Sequence, residues 1–202
     1  MKGGGIKLNS KVKICIGVSI ISIMVIGIII FTVTTINQIK EKEKIENVAE
    51  IYTEENVQEK LETQEVEEVE ELCIQEGEKS TIGVIKIDKI EFEGLIYEGT
   101  SLDILEIGVG HFESSPYIDG NVCLAAHNTN KFWSKLNTLE IGDKITYISF
   151  LGTREYQVTS KEEILETDWS KLQNTEENII TLITCVKGKP ELRLCVQGVQ
   201  VG

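Results

Sequence analysis

The sequence predicts a mainly β protein: a closed or nearly closed barrel with short helices, carried behind a membrane-spanning helix and an acidic stalk. Three observations predict it. An uncharged apolar run lies near the N-terminus, a glutamate-rich segment without a core follows, and the rest is a series of short strand-like runs separated by turn residues.

Residues 1–13 carry Lys2, Lys7, Lys11 and Lys13 and no acid. Residues 14–36, ICIGVSIISIMVIGIIIFTVTTI, hold no charge in 23 positions. As a helix this run spans roughly 35 Å, enough to cross a bilayer. A cleaved signal peptide would have a shorter apolar region and a small-x-small site, which TVTTINQ does not supply. The reading is therefore an uncleaved single-pass anchor in the lipid bilayer of the cell membrane. Basic residues ahead of the span keep the N-terminus cytoplasmic, so all that follows is extracellular.

The net charge of −13 is concentrated in residues 37–79, with fifteen Glu against five Lys between positions 40 and 79. Such a segment buries too little apolar surface to fold alone and reads as a solvated stalk, partly helical at most. Basic nucleic-acid footprints are absent, so no nucleic-acid partner is expected.

Residues 80–202 form one modest folded domain. Strands are expected at 82–90, 93–99, 121–127, 143–150, 154–164, 178–185 and 192–200, with short helices at 101–108 and 131–139. Leu151, Gly152 and Thr153 make a hairpin turn. Many short strands at this spacing favour a barrel over a parallel sheet with long helices. Trp133 and Trp169 are expected as packing anchors.

Five cysteines are an odd number for an extracellular chain. Cys15 falls in the span and Cys73 in the stalk, leaving Cys123, Cys185 and Cys195 in the folded part. Strand parity puts His127 on one face with Ala125 and Cys123, a small-residue groove floor, and puts Arg193 with Cys195 and Gln197 opposite Leu192, Leu194 and Val196. A bridge between Cys123 and Cys195 stays open. A lone strand cysteine such as Cys185 can be an inert buried thiol, His127 a structural histidine, and Arg193 a partner for Glu191 or another surface acid. His111 reads as a structural or loop contact. Together, however, a thiol, an imidazole and a guanidinium at strand ends have complementary chemistry. The guanidinium favours the thiolate, which is the nucleophilic form, and the imidazole exchanges protons with leaving and incoming amines.

TLITC (181–185), AAHN (125–128) and RLCVQ (193–197), in this order of His, Cys and Arg behind an anchor and stalk, resemble the cysteine box, histidine and arginine of the sortases, cysteine transpeptidases of Gram-positive cell envelopes. GVGHF (108–112) and the single-pass, N-in anchor are most similar to class D sortases of spore-forming clostridia and bacilli. The resemblance implies a closed eight-stranded sortase barrel over 80–202. It implies cleavage of a Leu-Pro-x-Thr-type sorting signal after Thr through a thioester on Cys185, then transfer of the surface protein to an amine of peptidoglycan or its precursor. His127 would act as general acid and then base, and Arg193 would hold the substrate and stabilise the oxyanion. Thr184 and Asn128 are implied as oxyanion or substrate supports. No metal and no cofactor are expected, since an acidic calcium-binding loop has no counterpart here. Two other classes fit parts of the pattern: a binding module on the same barrel, against which the complete triad argues, and a cysteine protease that releases its acyl group to water.

Overall fold

The computed structural model describes residues 10–52, 74–76 and 79–201. Residues 53–73, about half of the expected stalk and including Cys73, lie outside the described residues. The chain divides into two units, Met1–Lys44 and Ile45–Gly202.

Helix α1 (Ser10–Ile51) opens the chain and holds a stretch long and apolar enough to cross a membrane, with none of that stretch buried by protein. Three threonines of this stretch are satisfied within the helix. The hydroxyls of Thr32, Thr34 and Thr35 donate back to the carbonyls of Ile29, Ile30 and Phe31, as backbone and side chains must where water is absent.

The end of α1 belongs to the second unit. Ile45, Val48, Ala49 and Tyr52 follow one another at i, i+3, i+4 and i+7, the spacing of a single helical stripe, and all four are buried in that unit's core. The Tyr52 hydroxyl donates to the Thr81 carbonyl at 2.9 Å. Residues 45–52 of the expected solvated stalk are thus packed, with Glu46 and Glu50 on the exposed faces of the helix.

Nine strands follow: β1 (Ile74–Glu76), β2 (Lys79–Ile87), β3 (Phe92–Glu98), β4 (Val109–His111), β5 (Asn121–Ala125), β6 (Lys144–Ser149), β7 (Gly152–Leu165), β8 (Ile179–Val186) and β9 (Lys189–Gln200). Eight of them close in the order β2-β3-β4-β5-β8-β9-β7-β6, because β6 pairs back onto β2. Closure removes the free edges that would invite association with other chains. Strand β1 hangs on the start of β2, outside the ring. Pairs β3–β4 and β5–β8 are parallel and the others antiparallel. At Gly83, beside a register shift in β2, a side chain would run into the Ile148 carbonyl of β6, so the ring can close only over a glycine there.

The two expected helices are shorter than the sequence suggests. Only Leu102–Leu105 (α2) is α-helical in the first. In the second, turns lead to a 3-10 segment at Leu136–Thr138. The buried residues there are Trp133, Leu136 and Leu139, spaced by three, the repeat of a 3-10 rather than an α-helix. Trp133 is wholly buried edge-on to Phe92. Trp169, expected as an anchor, is instead exposed on the connection between β7 and β8.

Candidate active site

Even-numbered Ile180, Leu182 and Thr184 of β8 face the barrel interior, so Cys185 takes the outer face with Thr181 and Ile183. The thiol is the exposed one among Cys123, Cys185 and Cys195. It sits one residue before the β8–β9 hairpin closes at Val186 and Lys189. The two-residue loop, Lys187–Gly188, needs the positive φ of Gly188, +78°. The register then shifts between Cys185 and Val186: residues 190–192 bulge out of this ladder, so that Arg193 rather than Pro190 stands directly across from Cys185. Residues opposed in this way share a face.

Strand β5 runs parallel to β8 and ends at Ala125, so His127 lies two residues past the strand rather than within it. Two bonds hold its segment against β8. The buried Thr184 hydroxyl donates to the Ala126 carbonyl at 2.7 Å, and the Asn128 amide donates to the Cys185 carbonyl at 2.7 Å. The His127 carbonyl accepts from Thr129 and Trp133, which fixes its main chain. Its half-buried ring makes no hydrogen bond among the described residues. The hydroxyl of Thr184 points to the face opposite Cys185 and is engaged by the Ala126 carbonyl, so of the expected oxyanion support, hydroxyl or backbone, its main chain is the part beside the nucleophile. The Asn128 amide likewise grips main chain.

Arg193 is half-buried and held by three acceptors. Its Nη1 donates to the carbonyls of Pro190 (2.7 Å) and Leu192 (2.9 Å), and its Nη2 to Glu166 Oε2 (2.8 Å). The sequence left Glu191 or another surface acid as its partner, and the acid is Glu166. Glu191 instead supplies only a carbonyl, to the Glu166 amide. A cavity of about 740 Å³ opens beside Cys185, with Asn128, Asn137, Glu163, Lys187 and Lys189 among its lining residues. Neither His127 nor Arg193 lines it.

The sortase-domain family profile matches residues 85–201, more than half of the chain and nearly all of the barrel. The chain belongs to the sortase family. Among similar curated proteins are Sortase D of Bacillus subtilis (strain 168), 36% identical over 107 residues, and Sortase A of Bacillus anthracis, 32% identical over 130. These alignments cover 51% and 62% of this chain and 53% and 62% of the relatives, so it spans about half to three fifths of their length. Among solved structures, a Clostridium perfringens Sortase D5 transpeptidase superposes with a TM-score of 0.62 at 27% identity, covering 80% of this chain and 98% of that one. Sortase C-1 of Streptococcus pneumoniae gives 0.57 at 27% identity, over 60% and 67%.

Two groups of polar residues in this sortase barrel lie apart from the site. His111 is wholly buried and stacked on Tyr117 at 4.8 Å. Its Nδ1 donates to Glu98 at 3.0 Å, and its Nε2 lies 2.9 Å from the Ser115 hydroxyl and 3.2 Å from the Pro116 carbonyl. The second group is on the outer face of β5, β8 and β9, where Cys123 and Cys195 were expected to line the groove. Both are buried instead, and burial pushes each thiol up to about 12. The β7–β8 connection covers this face. The Asn121 amide donates to the carbonyls of Lys171 and Gln173, and the Thr181 hydroxyl donates to Asn121. Cys123 and Cys195 lie on β5 and β9 with β8 between them. Strands two apart are roughly 9.5 Å apart, beyond the span of a disulfide, and both thiols are free.

Proposed function

We propose that the chain is a membrane-anchored cysteine transpeptidase that cleaves a Leu-Pro-x-Thr-type sorting signal after Thr and transfers the acyl group to an amine of the cell envelope. One observation carries the reading: the exposed thiol of Cys185 is register-paired with Arg193 and stitched to the segment that bears His127.

The Cys185 thiolate attacks the threonine carbonyl, forming the S–C bond of a tetrahedral intermediate. Arg193 stabilises the oxyanion and the substrate main chain. As the C–N bond breaks, His127 gives a proton to the leaving amine and a thioester remains. An incoming amine, of peptidoglycan or its precursor, attacks that thioester while His127 takes its proton, and Cys185 leaves as thiolate. Thr184 and Asn128 act as positioning residues, holding the histidine segment and the main chain at the nucleophile. Residues 14–36 place the enzyme as a single-pass anchor with the cytoplasmic N-terminus set by Lys2, Lys7, Lys11 and Lys13, and the acidic segment 37–79, apart from the packed stripe at 45–52, serves as the spacer to the catalytic domain.

The test uses the whole chain in detergent with a quenched Leu-Pro-x-Thr peptide, with and without hydroxylamine. Cleavage that hydroxylamine accelerates, with a trapped hydroxamate and complete loss in Cys185→Ala, is the expected result. Cleavage by the alanine variant would remove Cys185 from the mechanism, and cleavage indifferent to hydroxylamine or any amine would mark a hydrolase.

A further inference from the structure

Arg193 commits most of its donors to the protein itself. A guanidinium has five N–H groups. Both hydrogens of Nη1 go to the Pro190 and Leu192 carbonyls, and one of Nη2 goes to Glu166. Among the described residues, what remains for a peptide is one Nη2 hydrogen and the Nε hydrogen. A long, four-torsion side chain is thereby fixed in a single plane before any substrate arrives.

The fold places Glu166 for this task. Arg193 pairs in register with Ile164 of β7, so Glu166 lies two residues on, at the diagonal position of the same face. It is the first residue past β7, and its amide is held by the Glu191 carbonyl at 2.9 Å. The connection it begins is fastened to the sheet through Asn121. A carboxylate on an anchored main chain is a directional acceptor, and the Glu166–Arg193 bond is charge-assisted.

We propose that Glu166 is a positioning residue for the transpeptidation reaction: it clamps the Arg193 guanidinium so that its two uncommitted N–H groups are preorganised beside Cys185. The inference rests on the function proposed above. Preorganised donors require no reorientation as charge develops, which is where such groups contribute most.

The test measures peptide turnover and the guanidinium itself, on the full chain in detergent. Glu166→Ala should lower kcat on the order of tenfold with KM within about twofold, while Glu166→Gln, which keeps an acceptor oxygen, recovers to within about threefold of native. In an Arg193→Ala background, Glu166→Ala should change nothing further, and the thermal melt should not move in either variant. Nitrogen-15 spectra of the guanidinium groups give a readout free of turnover. The chain has two arginines, Arg154 and Arg193, so Arg193→Lys assigns the signals. Hindered rotation, seen as separate Nη resonances for Arg193 in the native chain, should be lost in Glu166→Ala. Averaged Nη resonances in the native chain, equal kcat in Glu166→Ala, or a loss that persists without Arg193 would each overturn the proposal. Glu166→Gln as slow as Glu166→Ala would overturn it too, by assigning the effect to charge. A native chain inert toward peptide but with slow guanidinium rotation would instead sink the functional reading and leave the clamp standing.

Discussion

The two histidines of this chain show opposite ways of placing an imidazole. His111 is buried, stacked on Tyr117, and has protein partners at both ring nitrogens. His127 is half-buried, its main chain is held by Thr129 and Trp133, and its ring is left without a hydrogen bond among the described residues. A ring whose nitrogens are both committed can order a loop but has no site for a substrate's proton. A ring free on a fixed main chain can exchange protons with whatever binds beside Cys185. The pattern of satisfied and unsatisfied side chains, more than residue type, separates the histidine that holds the fold from the one left free for the proposed reaction.

The sharpest way to break that comparison is to remove each ring. His127→Ala should cost on the order of a hundred- to ten-thousandfold in turnover, the usual worth of a positioned acid and base, with an unchanged melt. His111→Ala should do the reverse. It leaves Glu98 and Ser115 facing a buried space and should cost about 3 kcal/mol of stability, while the protein that stays folded turns over peptide at near the native rate. Turnover and thermal melts on both variants decide the matter. A stable but inactive His111→Ala would put the buried ring in the mechanism.

The three barrel cysteines extend the same contrast to pH. Cys123 and Cys195 titrate near 12 because they are buried, against 9.0 for an ordinary thiol. A raised pKa means that the folded state keeps its protons after the unfolded state has begun to lose them. The stability that these thiols contribute is therefore complete below about 9 and falls as pH rises toward 12, at up to about 1.4 kcal/mol per unit for each thiol. Denaturant melts at pH 8 and pH 10 should show the loss, and a Cys123→Ser, Cys195→Ser double variant should reduce it. At neutral pH an alkylating reagent should label Cys185 and spare the other two until the barrel unfolds. Rapid labelling of Cys123 in the native state would mean that the β7–β8 connection does not cover it.

Much of this was legible in the sequence because strand alternation is local. All seven expected strands occur near their expected limits, and the eight-stranded ring was implied by the resemblance that TLITC, AAHN and RLCVQ carry. Strand β4 escaped because Val109–His111 is three residues long and centred on a glycine, too short to show a period. The burial of Cys123 and Cys195 escaped for a different reason. Their cover, Glu166 to Asn178, is polar, and what holds it is long-range hydrogen bonding from Asn121, which no local pattern encodes. Glu166 was hidden likewise: its pairing with Arg193 depends on register across β7 and β9, and a register shift between Val158 and Ser160 moves every partner beyond it. The stripe at Ile45, Val48, Ala49 and Tyr52 was visible at helical spacing, yet fifteen glutamates outweighed it.

That stripe supplies the smallest effect. The Tyr52 hydroxyl resembles the His111 ring in kind: it is a buried polar group with a protein partner, donating to the Thr81 carbonyl. Tyr52→Phe keeps the packed ring and removes only the hydroxyl. A single intramolecular hydrogen bond contributes about 1 kcal/mol net, so the melt should fall by a few degrees, with turnover unchanged because nothing at Cys185 is touched. Tyr52→Ala also empties the space of an aromatic ring and should cost about 3 kcal/mol or more. The ratio between the two variants is the informative quantity. Equal and negligible effects would mean that residues 45–52 leave the barrel in solution and behave as the solvated segment their composition suggests. A large effect of phenylalanine alone would mean that the hydroxyl, rather than the apolar stripe, holds the end of the helix in place.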